Sequence, residues 1–412
     1  MSQKIKILAG VIAACLANSP VQAVQFDGFL TAGGTFMDDK GKIDLTDYQG
    51  ITDDIRFEND SRFGLQISSE ISKDMEVVGQ LLAKGSNQNY NAVVEWAYVD
   101  YQFSKMASIR AGKIKESVFL ISDYIEVGYA YPWIRPPAEV YSNNPLNTVN
   151  GMELLIQIPV GKNSLSLQPY LGTNSEDIPG TNGAGQFEAT GIMGIDIKFS
   201  GRGYSFHVSS LTTDVTTQGA FVAPANLTPP PGTPAFIRNV SFDLRAKGTA
   251  KLTSVGFTAD INDIVAYAEM QSRDETGAID ALFPDQDSHY VTLGYRVGKW
   301  LPHITIAAID GEEGANKAAV TCVDVQACGV APVGQFLFNG SFPYAEQKST
   351  TFGVRYELND SAALKFEHQI IDIESKNNTA TYQNFGLFTP SFSTFATSEK
   401  HGITSLALDV IF

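Results

Sequence analysis

The last residues of the chain alternate between apolar and polar side chains as a strand with two different faces requires. From Gly402 to Phe412, one set of alternate positions carries a threonine, two leucines, a valine and a phenylalanine. The other set is mixed and includes Ser405 and Asp409. Because successive side chains of a strand point to opposite faces, one face is apolar and the other partly polar. A transmembrane strand between lipid and water needs this pattern. An amphipathic strand that closes a soluble β-domain would show it too, so the rest of the chain must decide.

The amino terminus has the features of a secretory signal peptide. Lys4 and Lys6 precede a short apolar run, and small residues near Ala23 predict cleavage after that residue. The run is too short to span a bilayer, and no later stretch approaches about twenty apolar residues. Cys15 loosely fits a lipoprotein cleavage box, which is a less favoured alternative. The sequence therefore predicts that residues 1–23 form a signal peptide.

Composition narrows the classes of function. The chain carries 29 Lys+Arg against 45 Asp+Glu and a net charge of −16, so no nucleic-acid partner is expected. In an oxidising compartment, Cys322 and Cys328 are expected to form a short-loop disulfide. The five histidines are scattered without metal-ligand spacing, and no phosphate-binding loop or nucleophile elbow is present. We therefore expect no metal, no cofactor and no enzymatic activity.

Strand-like segments recur along residues 24–412, which we take as one β-domain. About sixteen candidates have the nine to eleven residues or so that cross a membrane at a tilt. The candidates are 24–36, 55–70, 75–85, 91–103, 107–117, 149–159, 163–173, 187–199, 203–214, 249–261, 263–273, 287–298, 300–310, 348–358, 361–373 and 399–412. We find no linker that would divide them.

Connection lengths favour a membrane barrel over a soluble sandwich. Every second connection is very short, as at 72–74, 104–106 and 160–162, and the others are longer, as at 118–148 and 311–347. This alternation is typical of an antiparallel up-and-down barrel with short periplasmic turns and long extracellular loops. A soluble sandwich has no reason to sort its loops in this way. The sequence therefore predicts an all-β transmembrane barrel in the cell outer membrane, surrounded by lipid.

Individual strands predict which side chains face lipid. In the second strand, Phe63 and Ile67 share one face, and Arg62 lies on the other. In the fourth strand, alternation places Trp96 and Tyr98 outward. Glu95 and Lys84 are then expected to face the lumen.

Several short motifs in order resemble the general porins of Gram-negative outer membranes. They are Phe26-Asp-Gly-Phe-Leu, Ser61-Arg-Phe-Gly-Leu, Glu95-Trp-Ala-Tyr-Val-Asp-Tyr, Arg110-Ala-Gly-Lys113 and the terminal Phe412. The resemblance implies a water-filled barrel of about sixteen strands, usually a homotrimer, that passes small hydrophilic solutes by diffusion. It also implies that Phe412 is the signal read by the barrel-assembly machinery. A loop near 86–90 is expected to latch neighbouring subunits.

In that family the third long loop folds into the lumen and narrows it, which here points to residues 117–150. The expected constriction residues on this loop are Asp123, Glu126, Arg135 and Glu139. The expected wall residues are Arg62, Lys84, Glu95, Lys113 and Lys115. An acidic loop that faces a basic wall sets selectivity through its field. Each of these side chains could equally be an ordinary solvated group of the lumen.

The sequence departs from the best-known members of the family. The loop lacks their Pro-Glu-Phe turn, and Glu95 stands where those members place a wall arginine. Both departures favour mild cation selectivity. The aromatic stretch 129–133 leaves open a substrate-selective channel that binds an anion, a sugar or a hydrophobic solute along its lumen. The long loops 215–248 and 311–347 leave open an adhesive or receptor surface.

Overall fold

The computed structural model is a closed antiparallel β-barrel of 16 strands. It describes residues 24–38, 47–48, 51–86, 89–142, 146–177, 185–222, 241–243, 246–281, 283, 285–311, 321–322, 346–373, 388–389 and 399–412. The predicted signal peptide, residues 1–23, lies outside this part of the chain, and so does Cys328 of the predicted disulfide. Both interpretations stay predictions.

The barrel strands follow one another around the ring in chain order. They are β1 (Gln25–Met37), β2 (Arg62–Ser72), β3 (Met75–Ser86), β4 (Asn89–Ser104), β5 (Ala107–Lys115), β6 (Thr148–Val160), β7 (Asn163–Asp177), β8 (Gly185–Gly201), β9 (Tyr204–Val222), β10 (Ala246–Ile261), β11 (Ile264–Gly277), β12 (Gln286–Tyr295), β13 (Trp300–Gly311), β14 (Glu346–Asn359), β15 (Ala362–Ile373) and β16 (Glu399–Ile411). Four two- or three-residue strands lie in the long connections: Asp47–Tyr48, Ser241–Asp243, Thr321–Cys322 and Phe388–Thr389.

The predicted alternation of connection lengths is confirmed. The turns 73–74, 105–106 and 161–162 each join two long strands, whereas 116–147 and 312–345 separate the next pairs. One connection differs from its expected role. Strand β3 ends at Ser86 and β4 begins at Asn89. The two residues between them are too few to reach into a neighbouring barrel as a latch.

The first and last strands close the ring. Leu30 pairs with Val410 and Gly34 with Leu406 in antiparallel register. At the end of the seam, Phe412 N donates to Gly28 O at 2.9 Å and Gly28 N donates to Phe412 O at 2.8 Å. A Cβ at position 28 would lie 2.4 Å from the exposed Phe412 ring, so a larger residue there would displace that ring. Closure leaves neither strand with an unpaired edge, which lipid would not tolerate.

The two faces of the terminal strand are as the sequence predicts. His401, Ile403 and Ser405 are buried toward the lumen, whereas Leu406 is 52% exposed on the outer face. In β2, Phe63 is likewise exposed and Arg62 buried. The apolar parity therefore faces outward, where lipid would cover it.

The predicted second strand begins too early. Residues 51–61 belong to the first connection, and β2 begins at Arg62. Part of the connection still runs beside β1, because Thr35 N donates to Arg56 O and Met37 N to Thr52 O, each at 2.8 Å. This pairing extends the ladder and explains why the segment reads as a strand.

The outward assignment of Trp96 and Tyr98 is wrong because β4 contains a β-bulge. Gln80 of β3 pairs with Trp96, but the next residue, Leu81, pairs with Val94. Glu95 is thus an extra residue, and the side chains that follow it switch faces. Tyr98 packs against the apolar cluster inside the barrel, and Trp96 shares the lumen face of Gln80.

Candidate channel constriction

The described residues 116–142 and 146–147, between β5 and β6, fold into the lumen; we call them the constriction loop. Its side chains Val118, Ile121 and Trp133 are 0% exposed. They form one apolar cluster with inward residues of the wall from β5 to β13. Outside the barrel these side chains would form a large exposed apolar patch. Burial of that surface explains why the loop occupies the lumen.

Trp133 fixes the loop against two neighbouring strands. Its Nε1 donates to Thr292 Oγ1 and to Thr305 Oγ1, each at 3.0 Å. The indole also meets the Tyr290 ring edge to face, with centroids 5.5 Å apart. A buried indole N–H needs such acceptors, so these contacts hold the side chain in one position.

Three buried cations of the wall donate to backbone carbonyls of the constriction loop. Lys365 Nζ reaches Gly128 O and Trp133 O at 2.6 Å, Arg355 Nη1 reaches Tyr129 O at 2.5 Å and Tyr131 O at 2.9 Å, and Arg62 Nη2 reaches Ile134 O at 3.2 Å. Carbonyls of an irregular buried segment lack the partners that helices and sheets provide. The three cations supply those partners and so position the loop.

Glu269 on β11 joins the two arms of the loop. Its carboxylate accepts a hydrogen bond from Leu120 N at 2.9 Å on the arm that enters the lumen. It also accepts one from the Tyr141 hydroxyl on the arm that leaves it, and one from Ser254 Oγ at 2.7 Å. A charge-assisted contact to each arm holds the loop across the lumen.

The acidic stretch of the loop, residues 123–126, contacts the wall at one end through Glu126. Its carboxylate lies 3.3 Å from Arg62 Nη1 and 3.0 Å from Lys84 Nζ. Burial alone would raise the pKa of Glu126, but Lys84, Arg62 and Lys115 outweigh it and lower the pKa to about 2. Glu126 is therefore a fixed negative charge at ordinary pH.

At the other end of this stretch, Asp123 approaches the opposite wall. Its carboxylate lies 3.9 Å from Lys198 Nζ on β8 and is 48% exposed. Lys84 on β3 is 51% exposed. Exposed charges of both signs thus stand on the loop and on the wall that faces it.

Between β3 and β8 the wall carries a further charged group. Arg110 on β5 donates to Asp100 Oδ2 at 2.9 Å and to Glu153 Oε2 at 3.4 Å. Its guanidinium also lies over the Tyr98 ring, 5.1 Å from the centroid. These contacts hold the guanidinium flat against the wall, where it is partly exposed.

Two of the predicted constriction residues lie apart from the exposed charges. Arg135 Nη1 contacts both oxygens of Asp60, at 2.6 and 2.7 Å, and Nη2 donates to Ser405 Oγ at 2.8 Å. Glu139 is buried and accepts a hydrogen bond from Gln347 Nε2 at 2.8 Å. Both contacts tie the loop to its surroundings.

The remaining wall residues divide between the two faces. Glu95 and Lys115 form a nearly buried ion pair at 2.6 Å inside the barrel. Lys113 was expected to face the lumen, but it does not. It pairs in register with Ala97, on the same parity as the exposed Val99, so it belongs to the outer face. There its Nζ donates to Val94 O at 2.8 Å.

Sequence reasoning missed Lys198, and it missed Arg110 with its partners Asp100 and Glu153. For Lys198 the signal was available, because Ile195 and Ile197 alternate with Asp196 and Lys198 in β8. For the Arg110–Asp100 pair it was not, since Asp100 lies on β4, whose faces the bulge exchanges.

No helix among the described residues is long and apolar enough to cross a membrane. Within the same residues, no three His, Cys, Asp or Glu side chains are grouped so that they could hold a metal ion.

Comparison with known proteins decides the family. The family model for Gram-negative porins matches residues 7–375. The chain belongs to the Gram-negative porin family. It is therefore an outer-membrane channel. A search of curated proteins finds no match.

Three solved structures with the same fold are distant from this chain in sequence. The loop L8 deletion mutant of OmpT, an outer membrane protein of Vibrio cholerae, has 12% identity and a TM-score of 0.58 over 95% of this porin and 100% of that chain. In-vitro folded OmpT of Vibrio cholerae in its trimer form has 13% identity and a TM-score of 0.54, with 95% and 100% covered. The anion-selective porin from Comamonas acidovorans has 10% identity and a TM-score of 0.53, also with 95% and 100% covered. At these identities the comparison shows the fold alone.

Proposed function

We propose that this porin is a water-filled channel for passive diffusion of small hydrophilic solutes and ions, with a mild preference for cations. The observation that carries the proposal is the exposed Asp123 carboxylate, held on a loop inside the lumen opposite wall cations. A charge fixed at a narrow point acts on each passing ion more strongly than the same charge at a wide mouth.

The solute path runs between residues 123–126 of the constriction loop and the wall from β3 to β8. The loop's apolar side is occupied by packing, and Lys84 and Lys198 mark the two ends of the polar side. Lys84, Arg110 and Lys198 face this path on the basic side, and Asp100, Asp123 and Glu126 on the acidic side, while Glu153, which contacts Arg110, is buried. This balance supports a mild selectivity, and the exposed Asp123 carboxylate on the loop favours cations.

The sign of selectivity has to come from these side chains and not from the fold. The Comamonas acidovorans porin shares the fold and is anion-selective. Here the net charge of −16 adds a negative background that concentrates cations near the mouths.

We further propose a homotrimer in the outer membrane, delivered by the barrel-assembly machinery after removal of residues 1–23. Trimeric OmpT of Vibrio cholerae supports this assembly for a related barrel. Because only two residues connect β3 and β4, trimer contacts would use the outer faces of the strands. The exposed Phe412 ring, stacked at 6.3 Å on Phe63, is available as a terminal recognition signal.

A substrate-selective channel is the second candidate, because the bulge in β4 turns Trp96 and Tyr98 into the lumen. Single-channel recording in planar bilayers under a KCl gradient separates the possibilities. Conductance steps that occur in groups of three, together with a small reversal potential of the sign expected for cation selectivity, would support the proposal. Strong anion selectivity would mean that the basic wall dominates. Folded protein that forms no channel would refute a diffusion pore.

A further inference from the structure

We propose that Trp96 and Tyr98, together with Arg110, form a specificity-determining subsite for neutral ring sugars beside the constriction. The inference rests on the proposed diffusion channel and names a class of solute that it favours. Its starting point is the bulge at Glu95, which alone places the two aromatic side chains in the lumen. Bulges that re-aim side chains are concentrated next to functional sites.

The aromatic pair lies on the wall that we assign to the solute path. Trp96 and Tyr98 are half-buried, so part of each ring faces the lumen. Gly112 pairs with Tyr98 on the next strand, and Gly151 pairs with Gly112. With no side chains at these two positions, no bulky group flanks the Tyr98 ring on the next two strands.

The polar groups next to the aromatic rings suit hydroxyls better than ions. Arg110 is already paired with Asp100 and Glu153, and its guanidinium lies over Tyr98. An anion would compete with those two carboxylates for the guanidinium, and a cation would compete with the guanidinium for the carboxylates. A sugar hydroxyl can donate to a carboxylate and accept from the guanidinium without breaking the pairs.

The apolar face of a pyranose ring supplies the other half of the fit. Its C–H groups can stack on an aromatic ring while its hydroxyls reach the flanking polar groups. Stacking contacts of this size change a dissociation constant by about fivefold to tenfold. Such a site slows the sugar only briefly, as a channel requires.

The test is current block by added sugar in planar bilayers with the full folded chain. Glucose and maltotriose are titrated on one side in KCl, and mannitol serves as the acyclic polyol control. We expect saturable block by the ring sugars and a linear, viscosity-like decrease with mannitol. Trp96→Leu and Tyr98→Leu should each raise the half-blocking concentration about fivefold to tenfold.

Tyr101→Leu is the matched control, because Tyr101 lies on the same strand with its ring exposed on the outer face. Ring sugars should block the Tyr101→Leu channel at the same half-blocking concentration as the wild-type channel. If the ring sugars reduce the current only linearly, as mannitol does, the inference is wrong. Ion conductance in the same experiment would still support the proposed diffusion channel. An equal shift in Tyr101→Leu would also overturn the inference. A folded protein with no conductance would overturn the proposed function and this inference together.

Discussion

Lys365 Nζ lies 2.7 Å from Asp409 Oδ2, and the same ammonium donates to two carbonyls of the constriction loop, those of Gly128 and Trp133, at 2.6 Å. Both charged side chains are almost fully buried. A buried ammonium needs a counter-ion and partners for its three N–H groups, and this arrangement provides both. This lysine therefore links the constriction loop to Asp409 of the barrel wall.

Replacing Lys365 by methionine should loosen the constriction loop. The change leaves the Asp409 carboxylate buried without its counter-ion, which costs about 3–5 kcal/mol in comparable cases. We expect open-channel current that fluctuates between levels and a lower melting temperature in detergent, measured by single-channel recording and circular dichroism. Lys73→Met is the control, because Lys73 is 88% exposed in a periplasmic turn. A steady Lys365→Met channel with wild-type stability would contradict the role given to this lysine.

A methyl group at Gly128 should displace the loop tip. An added Cβ would lie 2.3 Å from Asp409 Oδ1 and 2.7 Å from Thr31 Oγ1, both on buried side chains. Overpacking of this kind costs about 1–3 kcal/mol. We expect Gly128→Ala to change the unit conductance. Gly79→Ala is matched to it, since a Cβ there meets nothing within 4 Å, and it should conduct as the wild type does.

The sequence was sufficient for most of the barrel and for little of the constriction. Alternation over long strands, as in the stretch that ends at Phe412, determines which face meets lipid, because lipid and water act on every residue of a strand. The bulge at Glu95 adds one residue without a marked sequence signal. It exchanged the faces of Trp96 and Tyr98 and hid the pairing of Arg110 with Asp100.

Roles of single charges depended on contacts distant in the sequence. Arg135 and Glu139 were assigned to the constriction from loop composition, yet Asp60 and Gln347 hold them elsewhere. Asp60 lies in the first connection and Gln347 on β14. A single sequence does not show that these residues lie close to the constriction loop. The position of the loop in the lumen, in contrast, was expected from the resemblance to general porins, and the loop's apolar composition agrees with it.

Selectivity should respond to Asp123 and not to Glu139. A unit charge about 5 Å from a passing ion in water contributes on the order of 1 kcal/mol. We therefore expect Asp123→Asn to lower the K⁺/Cl⁻ permeability ratio about twofold to fourfold, measured from the reversal potential in a KCl gradient. Glu139→Gln keeps the acceptor for Gln347 and removes a charge that is buried away from the path. An equal shift in both variants would mean that the path runs beside Glu139 instead.

The contribution of Glu126 should persist to unusually low pH. Despite burial, the charges of Lys84, Arg62 and Lys115 lower its pKa from 4.5 to about 2. A carboxylate with a lowered pKa stabilises the folded loop fully above pH 4.5, and this stabilisation is lost as the pH falls from 4.5 to about 2. The negative charge that it adds to the lumen disappears only around the lower value.

The measurement compares reversal potentials of the wild type and Glu126→Gln from pH 7 to pH 2. Every other carboxylate titrates in both proteins, so their difference reports Glu126. We expect that difference to be nearly constant down to about pH 3 and to fall to about half near pH 2. A difference that disappears between pH 5 and pH 4 would show an ordinary carboxyl group. Glu126 would then not be held between Arg62 and Lys84 in the working channel.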